Sequence, residues 1–136
     1  MGGEPIWVPE EARGLYHAGI AFGANFLMTV VLESLDLLRS AGMTEPQRLM
    51  APLLSAALDN ALRHGDSALT GPVARGDADT VAEHLRRVGE VSPPAASAYA
   101  ALARLTADRA LSAGLLDLSA AAALLAVLSP AAGGRT

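Results

Sequence analysis

The sequence predicts an all-α protein, because helical patterns separated by glycine and proline account for most of the chain. Apolar residues between positions 44 and 64 recur every three or four residues, which is typical of a helix with one buried face. Strand-like alternation never exceeds a few residues. A chain of 136 residues that is 51% hydrophobic can bury a sizeable core. We therefore expect about five helices around a long central apolar helix.

The longest helix is predicted from about Pro9 to Ser40, with Gly42 ending it. Its middle is apolar on every side, which is typical of a helix surrounded by protein. The apolar stretch 18–32 is interrupted by Asn25 and is shorter than the roughly 20 residues that a membrane span needs. We therefore interpret this segment as the central helix of the core and not as a membrane span.

Four shorter helices are predicted to follow. Helix two begins with Thr44 as N-cap in a capping box with Gln47, is kinked at Pro52 and ends at Gly65. Helix three begins at Asp77 or Asp79 and ends by Gly89. Helix four runs from Ser92 to about Ser112, and helix five runs from about Ser119 to Leu128. In terms of domains, residues 1–8 are interpreted as a linker remnant, 9–128 as one helical domain and 129–136 as a disordered tail.

Composition and charge exclude several classes of site. The chain has no cysteine, and its ten basic residues are all arginine, so a thiolate metal site and a lysine base or Schiff base are impossible here. This usage, with abundant alanine, glycine and leucine, suggests a GC-rich bacterial genome. A net charge of −4 without a basic face argues against nucleic-acid binding. The lack of a secretory signal favours a cytoplasmic location.

Two polar residues, His17 and Asn25, stand in the apolar helix. Their spacing of eight residues corresponds to about 80° of rotation and about 12 Å of rise, so one ligand or cleft could meet both. The alternative, that each is a polar core group hydrogen-bonded to a neighbouring helix, is equally open. Tyr16 is interpreted as packing. Gly19 and Gly23 suggest the close approach of another helix or of a flat cofactor.

The segment "SALTGPVARGDADTVAEHL", residues 67–85, combines a turn with a helix start. Gly71 and the following proline signal the turn. Thr70, Arg75 and free amides at the helix start could bind an anion, but two aspartates at that end would repel one. Alternatively, Arg75 pairs with one of these aspartates. The three histidines show no metal-binding spacing, and there is no G-x-G-x-x-G dinucleotide motif.

Two segments, "IWVPEEARGLYHAGIAFGANFL" and "ALTGPVARGDADTVAEHL", together resemble the C-terminal domain of bacterial Rossmann-like oxidoreductases that carry a C-terminal domain of unknown function. The resemblance covers roughly Pro5 to Leu128. In that family a dinucleotide-binding domain comes first, and an all-helical domain of the 6-phosphogluconate dehydrogenase C-terminal type follows. The resemblance therefore implies a substrate-binding and dimerisation domain of an NAD(P)-dependent oxidoreductase.

The resemblance also implies partners and residue roles. The N-terminal Rossmann domain would hold NAD or NADP, this chain alone would bind no cofactor and be inactive, and the expected partners are a second copy and a small-molecule substrate, with no nucleic acid or membrane. His17 and Asn25 would stand in for the lysine and asparagine of ketopantoate reductases and 3-hydroxyacid dehydrogenases, although those relatives space them by four residues. His17 would donate or accept a proton, and Asn25 would orient a carbonyl or carboxamide. Thr70, Gly71 and Arg75 would bind substrate from the far side of the cleft, with Arg75 on a carboxylate. The alternative function is a stand-alone helical module for self-association or protein interaction.

Overall fold

The computed structural model describes Gly3 and residues 5–129, and it confirms the all-α class. Within these residues there is no strand. The α-helices are α1 (Arg13–Ile20), α2 (Phe26–Ser40), α3 (Pro46–His64), α4 (Gly71–Ala74), α5 (Ala78–Val91), α6 (Pro93–Ser112) and α7 (Leu118–Leu128). The chain divides into two compact units, Met1–Thr44 and Glu45–Thr136, which are described separately.

The first unit is dominated by one continuous helical segment, Glu10–Ser40, which we call the N-terminal helix. It consists of a 3-10 turn (Glu10–Ala12), α1, a π-helical turn (Ala21–Asn25) and α2. These bounds confirm the predicted long helix. The π-turn contains Gly23, and glycine weakens a helix by about 1 kcal/mol relative to alanine, which makes a local change of winding easier at this point.

The first unit does not itself bury the N-terminal helix, so the expected place of this helix at the centre of the core stays a prediction. None of its residues is buried, and Phe22 and Phe26 are 59% and 55% exposed. A helix that is apolar on every side is normally buried against protein, but the sequence pattern does not show whether that protein belongs to the same chain or to a partner.

This helix is also long and apolar enough to cross a membrane, by length and composition alone. The sequence estimate was shorter because it counted only the apolar stretch 18–32. The core helix of a soluble protein or a signal sequence meets the same criterion, so the finding is weak evidence for a span.

The core of the second unit lies where α4, α5, α6 and α7 pack together. It contains Val73, Val81, Ala103, Ala107, Ala110, Leu116, Leu124 and Leu128. The three alanines share one face of α6, and their small side chains let the neighbouring helices approach closely. The predicted apolar stripe of α3 is not part of this core: Leu53 and Leu58 are about half exposed.

Most helix ends agree with the sequence. The side chains of Asp77, Ser92 and Asp117 cap α5, α6 and α7 by accepting hydrogen bonds from backbone N–H groups three residues further on. The predicted capping box of helix two is wrong, because α3 begins at Pro46 and its N-cap position, Glu45, makes no side-chain cap bond. Helix three runs two residues past Gly89. The predicted tail lies outside the described residues apart from Ser129.

Candidate functional site

An open hollow of about 470 Å³ lies beside the start of the N-terminal helix. It is lined by Ile6, Trp7 and Val8 from the irregular segment before the helix and by Arg13, Tyr16 and His17 from α1. Positions 13, 16 and 17 are three and four residues apart, so their side chains share one face of α1. The segment before the helix lies against this face, which places a cation, a phenol and an imidazole around one space.

His17 therefore lines the hollow, which is the position expected of a residue that binds a ligand. It is exposed, so it is not a buried core group within its own unit. Tyr16, which was interpreted as a packing residue, lines the same hollow and is 40% exposed. The Tyr16 and His17 ring centroids are 5.7 Å apart, with a tilt of 55° between the planes. The two rings therefore form adjacent parts of one wall.

The π-turn changes the angle between His17 and Asn25. The Phe26 N–H donates to the carbonyl of Ala21, five residues back, so the turn holds one residue more than an α-helical turn. Removing one residue's rotation, about 100°, from the 80° of a regular helix leaves the two side chains within about 20° of one line along the helix. Asn25 is exposed but does not line the hollow. A ligand in the hollow would have to extend along about two helical turns to reach it.

Thr70, Gly71 and Arg75 belong to the second unit, where they surround the short helix α4. Thr70 occupies the N-cap position with extended backbone and makes no side-chain cap bond. Arg75 follows the helix and is exposed. Since these residues and His17 lie in different units, the shared cleft expected for them stays a prediction.

Asp77 has a structural task in this segment. Its carboxylate accepts hydrogen bonds from the Thr80 hydroxyl at 2.7 Å and the Thr80 N–H at 3.1 Å. These two bonds, helped by the positive charge of Arg75, hold the pKa of Asp77 below its ordinary value. The predicted contact between Arg75 and an aspartate is not among the ion pairs of the described residues. Arg75 therefore presents its guanidinium to solvent.

Sequence reasoning missed two groupings. Arg13 was not considered, although its three- and four-residue spacing from Tyr16 and His17 could have revealed it. The other grouping joins α5 and α6: His84 Nδ1 lies 2.9 Å from the hydroxyl of Tyr99, and the rings meet edge to face. Burial raises the pKa of Tyr99. No local signal identifies a pair fifteen residues apart on two helices.

No group of three or more potential metal ligands is assembled in the part of the chain that the structure describes. The described residues form an all-helical protein with a hollow and a polar face on a long apolar helix. Residues 1–106 match the family model described as "Domain of unknown function (DUF2520)". The match covers more than half of the chain, so the chain belongs to this family. No curated protein and no solved structure matches it.

Proposed function

We propose that this chain is the substrate-binding and dimerisation domain of a bacterial, cytoplasmic NAD(P)-dependent oxidoreductase. It would resemble the 6-phosphogluconate dehydrogenase C-terminal type and be inactive without a Rossmann domain. The observation that carries the proposal is the hollow beside α1, where His17 stands with Arg13 and Tyr16. A proton-exchanging group beside a cation in a ligand-sized space is an arrangement suited to binding and converting a small polar substrate.

Each residue has its own role in binding or converting the substrate. Arg13 binds an anionic group of the substrate, and His17 donates or accepts the proton of the reacting group, because imidazole is suited to proton exchange near neutral pH. Asn25, two turns along the same face, orients a carbonyl or a carboxamide. Thr70, Gly71 and Arg75 of the second unit also bind substrate, with Arg75 on a carboxylate. NAD or NADP, held by the Rossmann domain because this chain has no G-x-G-x-x-G, supplies hydride transfer.

The coding sequence immediately upstream of Met1 gives the first test. An in-frame strand followed by G-x-G-x-x-G supports the proposal, whereas a stop codon beside a ribosome-binding site counts against it. The second test is turnover by the polypeptide that unites both domains. His17→Ala should lower kcat by about 100-fold or more, the typical contribution of a positioned acid or base. His64→Ala is the matched control, since His64 is an exposed histidine at the end of α3. Equal rates for the two variants would remove His17 from the mechanism.

A second candidate function is a stand-alone module for self-association. It is favoured by the exposed apolar surface of the N-terminal helix, where Phe22 and Phe26 stack edge to face with centroids 5.9 Å apart. Exposed apolar patches of this kind favour association. Light scattering tests it: a monomer at high micromolar concentration contradicts self-association. Phe26→Glu should shift a dimer toward monomer, whereas Glu33→Gln, on the same helix, should not.

A further inference from the structure

We infer that the hollow beside α1 is a subsite for a carboxylate joined to a flat apolar body, such as an aromatic carboxylate. The inference rests on the substrate-binding role proposed above and names the chemical class of the ligand. The residues that carry it are Arg13, Trp7 and Tyr16, none of which was assigned a role in binding from the sequence.

Arg13 supplies the recognition of the carboxylate. It is the one arginine or lysine among the lining residues that the structure describes, and its planar guanidinium presents parallel N–H groups that match two carboxylate oxygens. Six arginines of the described chain are already paired with carboxylates, and Arg13 is not among them. Its donors are therefore available to an incoming anion. His17 can add a hydrogen bond from the neighbouring position of the wall.

The aromatic side chains supply the recognition of a flat body. Trp7 is 84% exposed although indole is among the largest apolar groups, and Tyr16 is partly exposed in the same lining. Rings bind other flat groups by offset or edge-to-face stacking, and the gain grows with the area that leaves water. The volume of about 470 Å³ lies in the range of about 300–1,000 Å³ that is usual for small-molecule sites.

The charges around the hollow favour a single negative charge over a phosphate dianion. Glu10 and Glu11 stand in the first turn of the N-terminal helix, immediately before α1. They add two negative charges close in sequence to Arg13, the one arginine or lysine among the described lining residues, so each further negative charge on the ligand is repelled. A carboxylate is a monoanion that one guanidinium can satisfy.

The test uses the chain itself, because Trp7 is its only tryptophan and reports on the hollow by fluorescence. Benzoate is the probe; benzamide has the ring without the charge, acetate the charge without the ring, and inorganic phosphate a different anion. Benzoate should change the Trp7 emission saturably, with a Kd on the order of 1 mM for a ligand of this size. Benzamide and acetate should each bind about tenfold more weakly or worse. Equal affinity for benzoate and benzamide, or tighter binding of phosphate, would overturn the inference.

Variants of arginine locate the interaction. Arg13→Gln should weaken benzoate binding about tenfold or more, because a charge-assisted hydrogen-bond pair is lost. Arg39→Gln, which removes the same charge from the far end of the N-terminal helix, should leave it unchanged. Equal effects of the two variants, or no effect of Arg13→Gln, refute the subsite. If circular dichroism shows that Arg13→Gln is misfolded, Arg13→Lys replaces it. Lysine keeps the positive charge but lacks the parallel N–H groups of the guanidinium, so benzoate binding should still weaken.

The two readouts separate this inference from the proposed function. Benzoate binding that depends on Arg13, without nicotinamide-dependent turnover by the united polypeptide, refutes the oxidoreductase and leaves the subsite. Turnover that depends on His17, without benzoate binding, refutes the ligand class and leaves the oxidoreductase.

Discussion

Gly76 lies in the turn between α4 and α5, and replacing it with alanine should destabilise the second unit. The residue has φ of +73°, a conformation that side chains disfavour. A Cβ added there would lie 2.9 Å from the Cβ of Ala120 and 3.2 Å from Cδ2 of Leu116. Leu116 can turn its side chain away. The Cβ of Ala120 is fixed to the backbone of α7, so the helix itself has to move.

The cost has two parts. A side chain in the left-handed conformation costs about 1–2 kcal/mol. Overpacking against a rigid neighbour costs typically about 1–3 kcal/mol, and the free energy of unfolding should therefore fall by about 2–5 kcal/mol for Gly76→Ala. A unit of this size is expected to have a free energy of unfolding of about 4–13 kcal/mol, so the change consumes a large share of it.

The matched control is Gly114→Ala. Gly114 has φ of +78°, but an added Cβ would have no neighbour within 4 Å. This variant should lose only the backbone part, about 1–2 kcal/mol. Urea unfolding followed by far-ultraviolet circular dichroism measures both losses. With a slope of about 1 kcal/mol per molar urea, the midpoints of the two variants should differ by about 1–3 M. Equal losses would refute the close packing of the Gly76 turn on α7.

Two further predictions concern the same unit. Leu124→Ala should lower the free energy of unfolding by about 3–4 kcal/mol, since Leu124 is fully buried in the core of the unit and its loss leaves a cavity there. Leu125→Ala, at a neighbouring position that is 41% exposed, should lower it by less than about 1 kcal/mol. Equal urea midpoints for the two variants would contradict the assigned core. Because the folded pKa of Asp77 is lowered, its ionised carboxylate stabilises the protein above the ordinary pKa, and this contribution is lost as the pH falls through the folded value. In Asp77→Asn the free energy of unfolding should therefore fall less steeply as the pH drops below about 4. If urea titrations give the same pH dependence for the variant and the original chain, the cap by Asp77 is contradicted.

The sequence predicted helix ends well because they depend on residues within about one turn. Asp77 and Ser92 cap the helices that follow them, as their side chains are suited to do. The start of α3 was missed because Thr44 and Gln47 make a good capping box, but Pro46 between them also fits the first helical position. In the structure Pro46 occupies the first helical position, so the helix begins there.

The candidate site was predicted only in part. His17 stood out because a polar residue in an apolar helix is visible in the sequence. Trp7 and Arg13 did not, because their contribution depends on how the segment before the helix lies against α1, which no periodicity encodes. The π-turn was likewise out of reach, since angles read from a sequence assume 3.6 residues per turn throughout. That assumption put His17 and Asn25 about 80° apart, whereas the turn brings them nearly into line.

The exposed N-terminal helix raises the question of what covers it, and its polar residues favour protein over lipid. If Glu10–Ser40 crossed a membrane, Asn25 would lie at its centre and His17 about 12 Å away, inside a hydrocarbon half-layer of about 15 Å. Such groups are costly in lipid unless they face a protein interior or a water-filled cavity. The π-turn places them in one row, so a protein partner or a substrate cleft along that row could satisfy both. The same polar row that weakens the case for a membrane span is thus the surface that the proposed substrate site requires.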